Sequence, residues 1–272
     1  MEENTHLKIE TIKGYGGSEV SICPERGGII TSLKLKGTEI LYFDPATFND
    51  RTKNVRGGIP ILFPNVGPVA DARYPNLPQH GVARVSSQWV MEKNTDGNDF
   101  IETLTTDEDT KKLYPYDFVL FISGKFNEDG SFTLVQAVEN KESKRELPIA
   151  MGIHPYFKVS DSQKKNIKFN FEGGEIATHS IEQWADTIIL KNPKVLGGED
   201  SVMEIAIPDL GVLMINASIE YDTIFIWSLP GADFICIEPI MRGLGGFISH
   251  PEQIPPGKTY TARATFSLKK TL

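Results

Sequence analysis

The chain has 272 residues, of which 40% are hydrophobic and 24% charged, a balance that excludes wholesale disorder and permits a sizeable core. No run approaches the roughly 18 to 20 uninterrupted apolar residues of a spanning helix, and the polar, acidic start MEENTHLKIE is unlike a secretory signal, so a cytoplasmic protein with no membrane partner is expected. The formal charge of −8 comes without any basic stretch that could track a phosphodiester backbone, which argues against a nucleic-acid partner.

Taken in chain order, the alternation of apolar and polar residues predicts strands at HLKIETIK (6–13), EVSIC (19–23), QWVMEK (88–93) and FIETLTT (100–106). DEDTKKLY (107–114) is the best helix signal, with acidic residues opening a short amphipathic stretch and Pro115 ending it. FVLFIS (118–123) is nearly all apolar and is expected to be covered on both faces. Alternation returns in FTLVQAVEN (132–140), continuous apolar runs in TIFIWS (223–228) and FICIE (234–238), and alternation again in TYTARATFSL (259–268). Between these runs fall 24 glycines and 17 prolines, the punctuation of an all-β protein. No linker, composition shift or fixed repeat divides the chain, so residues 1–272 are read as one large antiparallel β domain with one or two short helices. Cys23 and Cys236 both sit in apolar surroundings and read as buried thiols, although a single disulfide is possible; they cannot form a disulfide framework or a Cys-based zinc site. The sequon at Asn216 lies in an apolar run and reads as chance.

Three places resist a purely structural reading. NVRGGIPILFPNVGPVADARYPNLPQHGVAR (54–84) carries five prolines and four glycines and reads as a long shaped loop, in which Gly57 and Gly58 allow close backbone approach to a partner. Arg56 and Arg84 bracket it and His80 stands within it; the plain alternative is two surface cations and a loop histidine bonded to a carbonyl. In LPIAMGIHPYFKV (147–159), Pro155 restricts His154 to an extended conformation, so that the imidazole is aimed by the backbone, with Tyr156 and Phe157 available as an apolar wall. The alternative is a core histidine satisfied by a carbonyl. In DFICIEPIMRG, Glu238 ends an apolar run; a buried carboxylate must find partners, change its pKa or stand at a cavity mouth, and Arg242 is the nearest candidate partner in sequence.

Together these segments resemble the galactose mutarotase-like superfamily, the aldose 1-epimerase and hexose-6-phosphate epimerase group. RGGIPILFPNVGP with QHGVAR is similar to that family's Gly-Gly-Ile-Pro and His-Gly-Phe-Ala-Arg segments, with Val82 in place of the usual aromatic. YPYDFVL (114–120), ELPIAMGIHPYF (146–157) and FIWSLPGADFICIEP resemble its other motifs in the same order. The resemblance implies a large antiparallel β supersandwich with a sugar in its concave face, His154 as general acid, Glu238 as general base and His80 as a sugar-holding residue. It further implies an aldose mutarotase that opens and recloses the ring of a hexose without metal or cofactor, its partner being a sugar or a sugar phosphate. Arg56 and Arg84 resemble the phosphate-binding arginines of the hexose-6-phosphate branch, so a glucose-6-phosphate 1-epimerase is an alternative. A carbohydrate-binding or regulatory protein that keeps the cleft without turnover is another. For the aspartate with which the family holds sugar hydroxyls, Asp186 is the nearest match and Asp222 the fallback; either could be an ordinary turn residue. No nucleophile elbow, His-x-x-x-His pair, phosphate loop or dinucleotide fingerprint supports a hydrolase, metalloenzyme or nucleotide-binding class.

Overall fold

A computed structural model describes residues 7–94, 98–171, 174, 186–197 and 202–269. The strands in chain order are β1 (Glu10–Lys13), β2 (Glu19–Cys23), β3 (Ile29–Leu35), β4 (Thr38–Glu39), β5 (Ile61–Leu62), β6 (Val90–Lys93), β7 (Asp99–Thr105), β8 (Phe118–Phe126), β9 (Phe132–Asn140) and β10 (Leu147–Ile149). They continue with β11 (Gly152–Ile153), β12 (Tyr156–Lys158), β13 (Lys168–Asn170), β14 (Ile188–Lys191), β15 (Met203–Ile207), β16 (Gly211–Ala217), β17 (Thr223–Trp227), β18 (Phe234–Ile240), β19 (Glu252–Ile254) and β20 (Thr259–Lys269). Three short α-helices are described, α1 (Pro45–Asn49), α2 (Glu108–Leu113) and α3 (Gly246–Ser249), one or two more than the sequence suggests. Only α2 has the expected acidic start: Asp107 caps it in a reciprocal box with Thr110. No described helix is long and apolar enough to cross a membrane.

An eight-stranded sheet runs β13-β15-β16-β20-β9-β8-β7-β6, and a six-stranded sheet runs β14-β17-β18-β11-β5 with β12 also paired to β18; the strand ladders are antiparallel. A four-stranded sheet, β1 to β4, and the pair β10-β19 complete the described pairing. Period-two alternation explains the layering. Leu120 and Ile122 of β8, Leu134 and Val138 of β9 and Phe266 of β20 share one apolar cluster with Ile224, Ile226, Ile235 and Ile237 of β17 and β18, which places the main core between the two large sheets. Gln136 ties the layers with its own polar groups, donating from Nε2 to the Leu62 carbonyl at 3.1 Å and accepting from the Tyr221 hydroxyl at 3.1 Å.

The runs 223–228 and 234–238 are covered as expected, β18 being buried throughout. The run 118–123 is not: Val119, Phe121 and Ser123 remain half-buried, because alternate residues of this strand lie on the face of the eight-stranded sheet turned from the core. The two cysteines are free and buried.

The segment 54–84 is less a surface loop than a buried connector. Ile59, Ile61, Leu62 and Phe63 are fully enclosed, and isolated bridges tie Gly57 to Phe43 and Ile59 to Ile30. Gly58 has φ +65°, and a Cβ there would stand 2.1 Å from the Ile30 carbonyl oxygen. The close partner of these glycines is therefore the protein's own backbone.

Candidate functional site

The face of β17 and β18 turned from the main core carries Phe225, Trp227, Phe234, Cys236 and Glu238, since residues two apart on a strand share a face. His154 stands between β11 and β12, with its N–H donated to the Pro60 carbonyl at 3.1 Å, and Tyr156 donates its own N–H to Gly58 at 2.9 Å. The Gly-Gly-Ile-Pro segment thus holds the His-Pro-Tyr segment by backbone hydrogen bonds. The result is a cleft of about 600 Å³, lined among others by Arg56, His80, Arg84, His154, Tyr156, Trp227 and Glu238. That size lies within the usual range for a small-molecule site.

At the centre, His154 Nε2 is 3.4 Å from Glu238 Oε1, and both residues are buried. The separation is long for a hydrogen bond, as is common in sites whose contacts tighten around a substrate. The His154 ring stacks on Tyr156 at 4.7 Å between centroids with 6° between planes, and Trp227 meets it edge-on at 6.0 Å. His154 Nδ1 has no hydrogen-bond partner. Arg242, the candidate partner of Glu238 in sequence, instead binds Asp222, at 3.4 Å from Nη1 to Oδ2, and Glu252.

Burial dominates the protonation of this pair. It raises the Glu238 carboxyl well above its ordinary value, against the opposing pull of the Arg84 charge. It lowers the His154 imidazole, with His80 and Arg84 adding to the effect. Two buried groups pushed towards neutrality in opposite senses hold a single proton between them, the empty pair favouring a neutral imidazole beside a carboxylic acid. Burial and Arg84 likewise depress His80 to about 3. His80 Nδ1 accepts the Gly67 N–H at 3.1 Å, which puts the ring proton of the neutral imidazole on Nε2, 3.2 Å from the Gln79 side-chain amide.

Sequence reasoning singled out five side chains that the fold gathers in this cleft: Arg56, His80, Arg84, His154 and Glu238. Asp186 is exposed and is not among the lining residues, whereas its neighbour Thr187 is. Asp222 is engaged by the Thr223 hydroxyl and by Arg242. Cys236, Trp227, Gln79 and Leu244 were not singled out. For Cys236 a signal existed, because it stands two residues before Glu238 on one strand and so shares its face. His154, Cys236 and Glu238 bring a nitrogen, a sulfur and an oxygen donor within 4.8 Å of one another, and these are the described residues that could hold a metal ion.

A family model described as Aldose 1-epimerase matches residues 9–194, more than half of the chain. The chain is 31% identical over 150 residues to the Escherichia coli (strain K12) protein named "Putative glucose-6-phosphate 1-epimerase", covering 50% of this chain and 47% of that one. It is 34% identical over 140 residues to the protein of the same name from Salmonella typhimurium, covering 50% and 44%. The chain spans about half the length of the curated relatives it matches. Among solved structures, the Slr1438 protein from Synechocystis sp. PCC 6803 superposes with a TM-score of 0.81 at 24% identity, covering 98% of this chain and 97% of that one. The galactose mutarotase related enzyme from Lactobacillus acidophilus superposes at 0.75 with 20% identity, covering 97% and 98%. These two likenesses establish the fold.

Proposed function

The chain belongs to the aldose 1-epimerase family, and from that premise we propose that it interconverts the α and β anomers of a hexose. The observation that carries this reading is the buried His154–Glu238 pair, 3.4 Å apart in a cleft large enough for a pyranose. Ring opening needs a proton delivered to the ring oxygen and another removed from the anomeric hydroxyl. A pair that shares one proton offers both a donor and an acceptor. His154 is the general acid and Glu238 the general base; after the bond between the first two carbons rotates, the roles reverse and the ring closes from the other face. Arg84 stabilises the Glu238 carboxylate but opposes a charged His154, so the imidazolium–carboxylate form that these roles need depends on hydrogen bonds from the bound sugar. His80 donates from Nε2 to a sugar oxygen, and Trp227 and Tyr156 supply the apolar wall. On the β14 side, the side chain offered to the sugar is Thr187 in place of Asp186.

A second reading, a hexose 6-phosphate as substrate, is favoured by the two arginines. Arg56 and Arg84 both line the cleft, and neither side chain makes a hydrogen bond or ion pair among the described residues. A guanidinium fork suits phosphate oxygens, and two unpaired forks in a protein of net charge −8 are a specific provision for an anion. The names of the curated relatives agree with this reading. The test is exchange NMR or polarimetry of anomer interconversion for glucose, galactose and glucose 6-phosphate, with the uncatalysed background subtracted, repeated on Arg56→Ala. A loss confined to glucose 6-phosphate supports the phosphate reading, and an equal loss on all three refutes it. Binding of a sugar without any turnover would make the protein a carbohydrate-binding module.

A further inference from the structure

The antiparallel register of β12 on β18 sets Tyr156 opposite Cys236. Residues two apart on a strand share a face, so His154, two before Tyr156, meets Glu238, two after Cys236, on the same side. Cys236 is fully buried and does not line the cleft, so its thiol stands behind the two groups that do. The sugar chemistry makes no use of it. Cys23 and Cys236 are too few for a zinc site built of cysteines, but a mixed site needs only one, with its other donors brought by a distant strand.

The spacing of the donors suits one small ion. Bonds of about 2.0–2.2 Å at a tetrahedral angle hold a nitrogen and an oxygen ligand of zinc about 3.3–3.6 Å apart. His154 Nε2 and Glu238 Oε1 already stand at 3.4 Å, a separation long for a hydrogen bond and right for two ligands of one ion. The Cys236 sulfur lies within 4.8 Å of the donors on both, which leaves roughly 1 Å to close. Neither partner is committed elsewhere: His154 Nδ1 is buried without a hydrogen bond, and Arg242 is taken by Asp222 and Glu252. Charge also balances. A thiolate and a carboxylate cancel the two charges of the ion, so the assembled set is neutral and can stay buried near Arg84. On binding, the thiol proton and the proton shared by His154 and Glu238 leave to solvent.

We propose that His154, Cys236 and Glu238 form a zinc site in the floor of the sugar cleft, and that a bound zinc ion switches turnover off by occupying both members of the acid–base pair. The site stands on the donor geometry; the switch rests on the epimerase reading as well. The sulfur selects the ion, since thiolate with imidazole suits zinc, whereas magnesium and calcium ask for a shell of oxygens that one carboxylate does not supply.

The test titrates the whole chain, reduced and freed of metal by a chelator, with Co²⁺, whose bond to thiolate gives a charge-transfer band that spectroscopically silent Zn²⁺ should then bleach. Cys236→Ser should lose the band and Cys23→Ala should keep it, with circular dichroism checking the fold; Cys236→Ala replaces the serine variant if that does not fold. His154→Ala and Glu238→Gln should each weaken Co²⁺ binding by more than the roughly 10- to 100-fold that loss of an outer-shell partner costs. Mg²⁺ should not compete. A chain without the band, a band that survives loss of the Cys236 thiol, affinity unmoved in both His154→Ala and Glu238→Gln, or competition by Mg²⁺ overturns the site. In background-corrected polarimetry, stoichiometric Zn²⁺ should abolish turnover and a chelator restore it, while Cys236→Ser, referred to its own metal-free rate, should need at least about tenfold more Zn²⁺. Full turnover by a Zn²⁺-saturated chain overturns the switch. The band is read without sugar, so if no sugar is turned over the epimerase reading fails while the band still decides the site, and a missing band leaves the epimerase reading intact.

Discussion

An imidazole and a carboxyl buried 3.4 Å apart form one titrating unit, and predictions about either residue belong to the pair. Loss of a positioned general acid or base removes about 10² to 10⁴ in rate, so His154→Ala and Glu238→Ala should each fall in that range in background-corrected polarimetry. A folded variant with turnover near that of the unaltered chain would remove its residue from the mechanism. The pH profile follows from the directions of the shifts. His154 is depressed below 6.5, so the pair gains a second proton only at a pH lower than an ordinary histidine would require. Glu238 is raised above 4.5, so the proton leaves the pair only at a pH higher than an ordinary carboxyl would allow. Turnover of glucose should therefore pass through pH 6.5 without inflection and fall on the alkaline side; a sharp acid limb centred near 6.5 would contradict the coupled pair.

Among the elements, the Gly-Gly-Ile-Pro segment does the most to position the site without contributing to the chemistry. Gly58 takes φ +65° beneath the Ile30 carbonyl, and its own carbonyl receives the Tyr156 N–H. Gly58→Ala adds a strained conformation to a backbone clash at 2.1 Å, and a cost of about 1–3 kcal/mol or more is expected as a lowered urea midpoint. Because the displaced segment also carries the Pro60 carbonyl that holds His154, kcat should fall together with stability. Wild-type kcat in a destabilised Gly58→Ala would show that the segment supports the fold alone.

At the scale of the whole molecule, one core position works against stability. Glu102 of β7 is fully buried among apolar positions, near Trp89, Gly28 and Cys23, and neither carboxylate oxygen has a partner. Burial raises its pKa from 4.5 to about 8. Between those values the folded state keeps a proton that the unfolded state has lost, so stability falls as pH rises from 4.5 to 8, by at most about 1.4 kcal/mol per pH unit from this group. Glu102→Gln should flatten the urea-midpoint profile in that window and be the more stable form at its alkaline end. An unchanged slope would mean that water or a neighbour satisfies the carboxylate.

Local chemistry determined much of this protein in its sequence. Alternation at 100–106, 132–140 and 259–268 specifies half-buried strands, since a pleated chain turns successive side chains to opposite faces, and Asp107 marks the start of α2 by offering its carboxylate to backbone N–H groups. His154 and Glu238 stood out because a polar group closing an apolar run demands a partner, and each is followed by proline. Their mutual partnership was decided by tertiary structure, which brings β12 against β18 and gives Arg242 to Asp222 and Glu252. The same holds for Gly57 and Gly58, whose close neighbour is the protein's own backbone, and for Thr187 in place of Asp186 at the cleft. Periodicity reports which way a side chain points along its own strand; which distant segment it meets depends on strand order and register, and those follow from the packing of the whole core.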